Sequence, residues 1–256
     1  MVRSYRMGSS AVVGAMCDAI KLVEAIAASV SWDENQCRLS PGTRVKAMII
    51  NILSGRRPLY FVHEFYEDMD LPPLFGRGVK AEDFEDHSLA RALDKLSQAN
   101  AKKVFRSVTL QALTPEQVAI GRLHGDTTSW TLTGVFDEGE DTPPDWLRVT
   151  KGYNKDHQPG SKQFVYGLVV TEDRIPLIGD VSDGNTSDKT WNGRILEELS
   201  ALMTEDQLKE IIYVADSAFI TPDNLEKVKP LKFISRLPGN YALETTLKER
   251  AWAQDC

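Results

Sequence analysis

The spacing of apolar residues divides the chain into a helical first part and a later part rich in strands. In residues 12–29, 43–53 and 88–97, apolar side chains recur every three or four positions, which is typical of amphipathic helices. Beyond residue 115 the pattern changes to β-prone runs, at 162–170, 175–181, 211–215 and 232–235. An amphipathic helical segment, 187–203, separates the second of these runs from the third. The sequence therefore predicts an α/β protein, with a helical N-terminal module at 1–115 and a mixed β-sheet flanked by helices at 116–256.

Two aspartates stand at or near predicted strands, and neither has a basic neighbour in the sequence to pair with. Asp126 lies in a β-prone run that begins near residue 122, and Asp216 directly follows the apolar strand 211–215. If the first and fourth strands of the domain lie side by side, the two carboxylates become neighbours. Paired carboxylates suit a hard divalent cation such as Mg²⁺, which prefers oxygen ligands.

Four separated blocks of sequence resemble, in the same order, bacterial insertion-sequence transposases of the DDE type. The blocks are Gly125-Asp126-Thr127-Thr128-Ser129, the segment 152–157 (Gly-Tyr-Asn-Lys-Asp-His), the segment 183–188 (Asp-Gly-Asn-Thr-Ser-Asp), and Ala215-Asp216-Ser217. The 183–188 block also has a plainer explanation, because Asp-Gly-Asn favours a turn and Thr186 or Ser187 can cap the next helix.

The resemblance implies a ribonuclease H-like catalytic domain that cleaves and transfers DNA strands at the ends of a mobile element, using Mg²⁺ or Mn²⁺. Asp126 and Asp216 correspond to the first two members of the family's catalytic, metal-binding triad. The family's third acid lies in a Tyr-x2-Arg-x3-Glu-x6-Lys phrase that this sequence lacks. We therefore expect a domain truncated before its third acid and inactive alone, with Glu249 as the remaining candidate for that position.

Double-stranded DNA, as element terminal repeats and as target, is the expected partner, and a homodimer stays open. The candidate contacts are Arg56, Arg57, Lys155, His157 and Lys162. Arg56 and Arg57 follow a predicted helix end. Contact with DNA phosphates and a favourable interaction with the helix dipole explain these two cations equally well. The other three lie in a polar stretch that composition alone would class as a connector.

Composition narrows the class of protein. The net charge of -7 argues weakly against nucleic acid, but residues 1–60 carry more bases than acids while 61–100 carry more acids than bases. No apolar run reaches the roughly 20 residues of a membrane span, so a cytoplasmic, nucleoid-associated protein is expected. The three cysteines lack ligand spacing for zinc.

The sequence admits three further interpretations, two of the whole chain and one of a single loop. The first is a DNA-binding or regulatory transposase fragment without catalysis. The second, an aspartyl-phosphate phosphatase, is discounted because the Asp-x-Asp-x-Thr phrase is missing at Asp126. The third, a calcium loop in the acidic stretch 137–145, lacks the closing glutamate and is better explained as a solvated loop.

Overall fold

The computed structural model describes residues 5–116, 120–134, 136, 146–153, 160–239 and 241–253, and the chain divides into two compact units, 1–117 and 118–256. The acidic stretch 137–145, Lys155 and His157 lie outside the described residues. Unit 1 is helical: α1 Ser10–Ala19, α2 Leu22–Ser29, α3 Pro41–Ile50, a π-helical turn Asn51–Gly55, a 3-10 turn Leu59–Phe61, α4 Val62–Glu67, α5 Pro72–Phe75, a 3-10 turn Ala81–Phe84, α6 Asp86–Gln98 and α7 Ala101–Glu116.

The helices of unit 1 follow the apolar spacing, with one interruption. Residues 12–29, which the pattern predicts to be helical, form α1 and α2 because Lys21 adopts a left-handed backbone (φ 51°) between them. Helix α3 begins at Pro41, and the Ser40 hydroxyl caps it by accepting from the Thr43 N–H at 3.0 Å. The core includes Tyr66, whose ring is fully buried and whose hydroxyl donates to the Ala47 carbonyl at 2.7 Å.

Unit 2 contains one mixed sheet of six strands within its described residues. Its elements are β1 Arg122–Leu132, β2 Thr150–Lys151, β3 Lys162–Thr171, β4 Pro176–Asp183, α8 Asp188–Leu202, α9 Glu205–Glu210, β5 Ile212–Ala215, a 3-10 turn Ser217–Phe219, α10 Pro222–Lys227, β6 Lys232–Ser235 and α11 Ala242–Ala253. Strand β1 is central: β3 pairs antiparallel with it on one side, and β5 pairs parallel with it on the other. Beyond these, β4 and the short β2 pair antiparallel with β3, and β6 pairs parallel with β5.

Helix α8 covers one face of the sheet. Along β1 and β3 every second residue is buried, which is the burial pattern of a sheet covered on one face. On the covered face the fully buried Trp191 ring lies against Gly167, where a Cβ would overlap the indole. Ser187 caps α8 by accepting from the Thr190 N–H at 3.3 Å, as the 183–188 block predicts.

The wholly apolar run 211–215 predicts a strand buried on both faces of the sheet, and this prediction is wrong. In β5 Tyr213 is fully buried, whereas Ile212, Val214 and Ala215 are partly exposed. The reason is that successive side chains of a strand point to opposite faces, and Tyr213 points to the covered one. Among the described residues, no helix has the length and apolar character needed to span a membrane.

Candidate functional site

The parallel pairing of β1 with β5 brings the two predicted aspartates to neighbouring strands. Leu123 is opposite Tyr213, and His124 is opposite Val214. Asp126 and Asp216 each lie two residues beyond this last pair, and neighbouring strands of a sheet lie about 4.8 Å apart. Both side chains belong to exposed residues, so both carboxylates can meet solvent or a ligand.

Close packing holds β1 and β5 together directly before Asp126. Gly125, directly before Asp126, is buried, and a Cβ placed on it would overlap the hydroxyl of Tyr213. The Tyr213 ring therefore occupies space that only a glycine leaves open. Glycine inside a strand commonly marks such a close approach.

Hydrogen bonds tie Asp126 to helix α8. The Asp126 Oδ1 accepts from the N–H of Thr127 at 2.8 Å, and the Thr127 hydroxyl donates to Asp188 Oδ1 at 2.5 Å. Asp188 is the first residue of α8, and its carbonyl accepts from the Asn192 amide at 2.9 Å. Asn192 Oδ1 in turn accepts from the Tyr213 hydroxyl at 2.8 Å. The two strands that carry the aspartates are thus joined through one turn of α8.

The fully buried Tyr213 hydroxyl stays neutral beside the two carboxylates. Desolvation raises its pKa above the ordinary value, and the negative charges of Asp216 and Asp126 raise it further. A neutral phenol can donate to Asn192 over the whole physiological pH range.

Asp216 also has a local structural role. Its Oδ1 accepts from the N–H of Ala218 at 3.1 Å, so it caps the 3-10 turn that follows β5. Its carbonyl accepts from the Ser235 hydroxyl at 2.7 Å, and Ser217 accepts from the Arg236 guanidinium at 3.2 Å. These contacts hold the end of β5 against the end of β6.

A cleft of about 450 Å³ lies beside the aspartates. Thr127 and Ser217, the residues that follow Asp126 and Asp216, both line it. Most of its polar lining residues carry hydroxyl groups, and Asp188 and Lys189 add one charge of each sign; the further polar residues include Thr128, Ser129, Thr186, Ser187 and Thr221. The cleft can therefore offer hydrogen-bond donors to a polar ligand.

The other predicted site residues lie elsewhere. Arg56 and Arg57 belong to unit 1, where they are exposed directly after the π-helical turn, and Arg56 is left-handed (φ 54°). Lys162 opens β3 and donates to the Phe136 carbonyl. Glu249 is exposed on α11. Within the described parts of the chain, no three His, Cys, Asp or Glu side chains are grouped closely enough to hold a metal.

Two more polar residues of unit 2 have defined positions, Asp183 of the 183–188 block and His124. Asp183 accepts from the Arg148 N–H at 2.9 Å and so anchors the segment before β2. His124 shares the exposed face of β1 with Asp126. The contributions of Asn192 and Tyr213 were missed, because each side chain is ordinary in its own segment. Gly125 beside Asp126 was the one available signal.

Comparison with known proteins gives distant likenesses. A family model described as "Domain of unknown function (DUF4277)" matches residues 2–110, and no curated protein matches the chain. The structure is similar to "Mos1 transposase paired-end complex with left transposon end" (9% identity, TM-score 0.30, 81% of this chain and 65% of that chain). It is also similar to "Crystal structure of a pre-cleavage Mos1 transpososome" (10% identity, TM-score 0.30) and "Crystal structure of the Mos1 mariner paired end complex with Mn" (12% identity, TM-score 0.29). Each of these two matches covers 96% of this chain and 85% of the other chain. The chain spans less than two thirds of the length of the first of these structures. Similarity at these TM-scores does not indicate a function.

Proposed function

We propose that this chain is a DNA transposase of the bacterial insertion-sequence, DDE type, in which Asp126 and Asp216 are catalytic and hold Mg²⁺ or Mn²⁺. The parallel pairing of β1 and β5 supports the proposal, since Asp126 and Asp216 of the transposase-like sequence blocks each lie two residues beyond its last pair. A ribonuclease H-like character for unit 2 is supported by the strand order β4-β3-β1-β5-β6, with antiparallel pairs before β1 and parallel pairs after it.

The donor set fits a hard divalent cation. Asp126 and Asp216 supply carboxylate oxygens, and both are exposed enough to leave room for the waters that such ions retain. When bound, the cation would polarise a phosphodiester and lower the pKa of an attacking water or 3′-hydroxyl. Two protein carboxylates hold such an ion weakly, so we expect weak binding.

The remaining residues position the two carboxylates. In-line displacement at phosphorus depends on the alignment of the reacting groups, so rigid placement of the metal ligands matters. The Tyr213 ring packed on Gly125 holds β5 against β1, and the Thr127–Asp188 bond holds β1 against α8. Lys189, at the cleft, is suited to a phosphate of the bound strand. We propose Arg56, Arg57, Lys155, His157 and Lys162 as further contacts to the DNA backbone.

A second candidate is a DNA-binding or regulatory transposase without catalysis. It is favoured by the absence, among the described residues, of any group of three metal-binding side chains. Glu249, the candidate for a third acid, is exposed on a helix that has no buried residue. The two candidates share the DNA contacts and differ in strand cleavage.

Titration calorimetry with Mn²⁺ tests the metal site. The full chain should bind weakly, and Asp126→Asn should reduce the heat to background, because it removes one of two carboxylate ligands. Asp173→Asn is the matched control: it makes the same chemical change at an exposed position in the β3–β4 turn. Equal binding by the parent and Asp126→Asn would place the metal elsewhere and overturn the proposal.

A nicking assay separates the two candidates. The first candidate predicts Mn²⁺-dependent nicking of a supercoiled plasmid carrying the DNA that flanks its gene, and the second predicts none. Because only two carboxylates hold the metal, we expect nicking by this chain alone to be slowed by orders of magnitude. A poorly held metal forfeits several kcal/mol of transition-state stabilisation, and about 1.4 kcal/mol corresponds to tenfold in rate. Nicking by the parent that disappears in Glu249→Gln would contradict this expectation and identify Glu249 as the third acid.

A further inference from the structure

Unit 1 contains a second cleft, of about 390 Å³, at the beginning of helix α1. Its lining includes two guanidinium groups, three serines and a glycine: Arg6, Gly8, Ser9, Ser10, Ser54 and Arg57. Gly8 has a left-handed backbone (φ 49°), which turns the chain into the helix directly after Arg6 and Met7. Only Arg57 of these residues was singled out by the sequence.

The N-terminus of α1 is left without a side-chain cap. Ser9, the residue before the helix, does not accept from a helical N–H, and its hydroxyl donates to the Ser54 hydroxyl at 3.0 Å. The Ser10 N–H bonds to the Met7 carbonyl at 3.0 Å, whereas the N–H groups of Ala11 and Val12 have no hydrogen bond within the described residues. Uncapped N–H groups and the positive end of the helix dipole together favour an anion.

Ser10 gives a second and independent indication of a ligand. It lines the cleft, its residue is only 1% exposed, and its Oγ has no hydrogen-bond partner among the described residues. A buried hydroxyl without a partner costs free energy that a bound acceptor would recover. In a native fold such a group calls for an explanation, and an absent ligand provides one.

The charges around the cleft limit which kind of ligand can bind there. Neither Arg6 nor Arg57 has a carboxylate within ion-pair distance in the described parts of the chain, so both guanidinium groups are available. The Arg57 backbone is fixed by two bonds with Asn51, of 2.8 and 3.1 Å. The carboxylates of Glu64 and Asp68 also line the cleft and oppose any anion. A ligand must therefore be compact, strongly charged and rich in acceptors.

We propose that this cleft is a phosphate site, in which Arg6, Arg57, Ser10 and the N-terminus of α1 hold one phosphate group. The group comes either from a DNA backbone or from a free phosphate, since both offer the same oxygens. The DNA source rests on the proposed function, whereas binding of free phosphate does not depend on it.

Calorimetry with inorganic phosphate, on the full chain at low salt, tests the site. Arg57→Gln should weaken binding about tenfold or more, the loss expected for a charge-assisted hydrogen bond, and Ser10→Ala should weaken it several-fold. Arg77→Gln is the matched control, because Arg77 is an exposed arginine of unit 1 that does not line the cleft. Glu64→Gln should strengthen binding by removing an opposing charge.

Two outcomes would overturn the proposal: no heat with phosphate in the parent, or equal weakening by Arg77→Gln and Arg57→Gln. Unchanged circular dichroism of each variant excludes misfolding as the cause of a loss. A competition arm identifies the source: inorganic phosphate that displaces a fluorescent duplex from the parent, with Arg57→Gln weakened towards both, assigns the cleft to DNA. Phosphate binding without displacement assigns it to a free phosphate. The Mn²⁺ titration at Asp126 is independent of each of these results.

Discussion

Replacing Trp191 by alanine should destabilise unit 2 by about 3–5 kcal/mol, the usual cost of emptying a buried aromatic site. The Trp191 side chain is fully buried on helix α8 and fills the space that Gly167 leaves open on β3. Its indole Nε1 has no hydrogen-bond partner in the described residues, so the loss is one of packing alone. Hydrogen exchange of the 162–171 peptide across a urea series would measure the change.

Trp252→Ala serves as the control for this experiment. It deletes the same side chain from α11, where Trp252 is 84% exposed, and should change the unfolding free energy of unit 2 by no more than about 0.5 kcal/mol. Similar losses in the two variants would mean that α8 does not depend on Trp191 for its attachment to the sheet.

Gly125→Ala should both destabilise unit 2 and weaken Mn²⁺ binding. The new Cβ would overlap the Tyr213 hydroxyl and lie 2.9 Å from the ring carbon Cζ, so β1 and β5 have to shift apart or the ring has to move. Overpacking of this kind costs about 1–3 kcal/mol. Because Asp126 is the next residue, the shift also misaligns the two carboxylates. Urea unfolding and the Mn²⁺ titration measure the two effects.

A second substitution makes this prediction sharper. Tyr213→Phe removes the atom in the worst overlap, so the double variant Gly125→Ala/Tyr213→Phe should recover part of the metal binding. Tyr213→Phe alone should cost about 1–3 kcal/mol, because it leaves the buried Asn192 Oδ1 without its 2.8 Å donor. If Gly125→Ala binds Mn²⁺ as the parent does, the alignment of the aspartates does not depend on this contact.

The order and type of the main elements could be predicted because they depend on local spacing. The period-two and period-3.6 patterns gave β3, β4, α8 and β6 within one or two residues of their bounds. The break at Lys21 was not predictable, since a left-handed lysine carries no sequence signal. The partial exposure of β5 was missed for a different reason: four consecutive apolar residues do not say which of them face a covering helix.

The site was predictable only where sequence blocks carried it. Asp126 and Asp216 were identified by their position after β-prone runs and by the resemblance of their blocks. The network through Asn192 was not, because it joins residues from β1, α8 and β5 that no local pattern connects. The phosphate cleft was beyond prediction as well: Arg6 and Arg57 are fifty residues apart, and a serine without a partner is visible only in the folded chain.

The central position of β1 governs the order in which unit 2 can fold. Strand β1 must wait for β3, about forty residues later, and for β5, about ninety residues later, whereas the helices of unit 1 form from neighbouring residues. Contacts between distant parts of a chain close slowly, because their loop entropy is lost before the contact is gained. We therefore expect the ends of β1 and β5, with Asp126 and Asp216, to come together late in the folding of unit 2. A chain halted before that step would lack the neighbouring carboxylates that the proposed metal site needs.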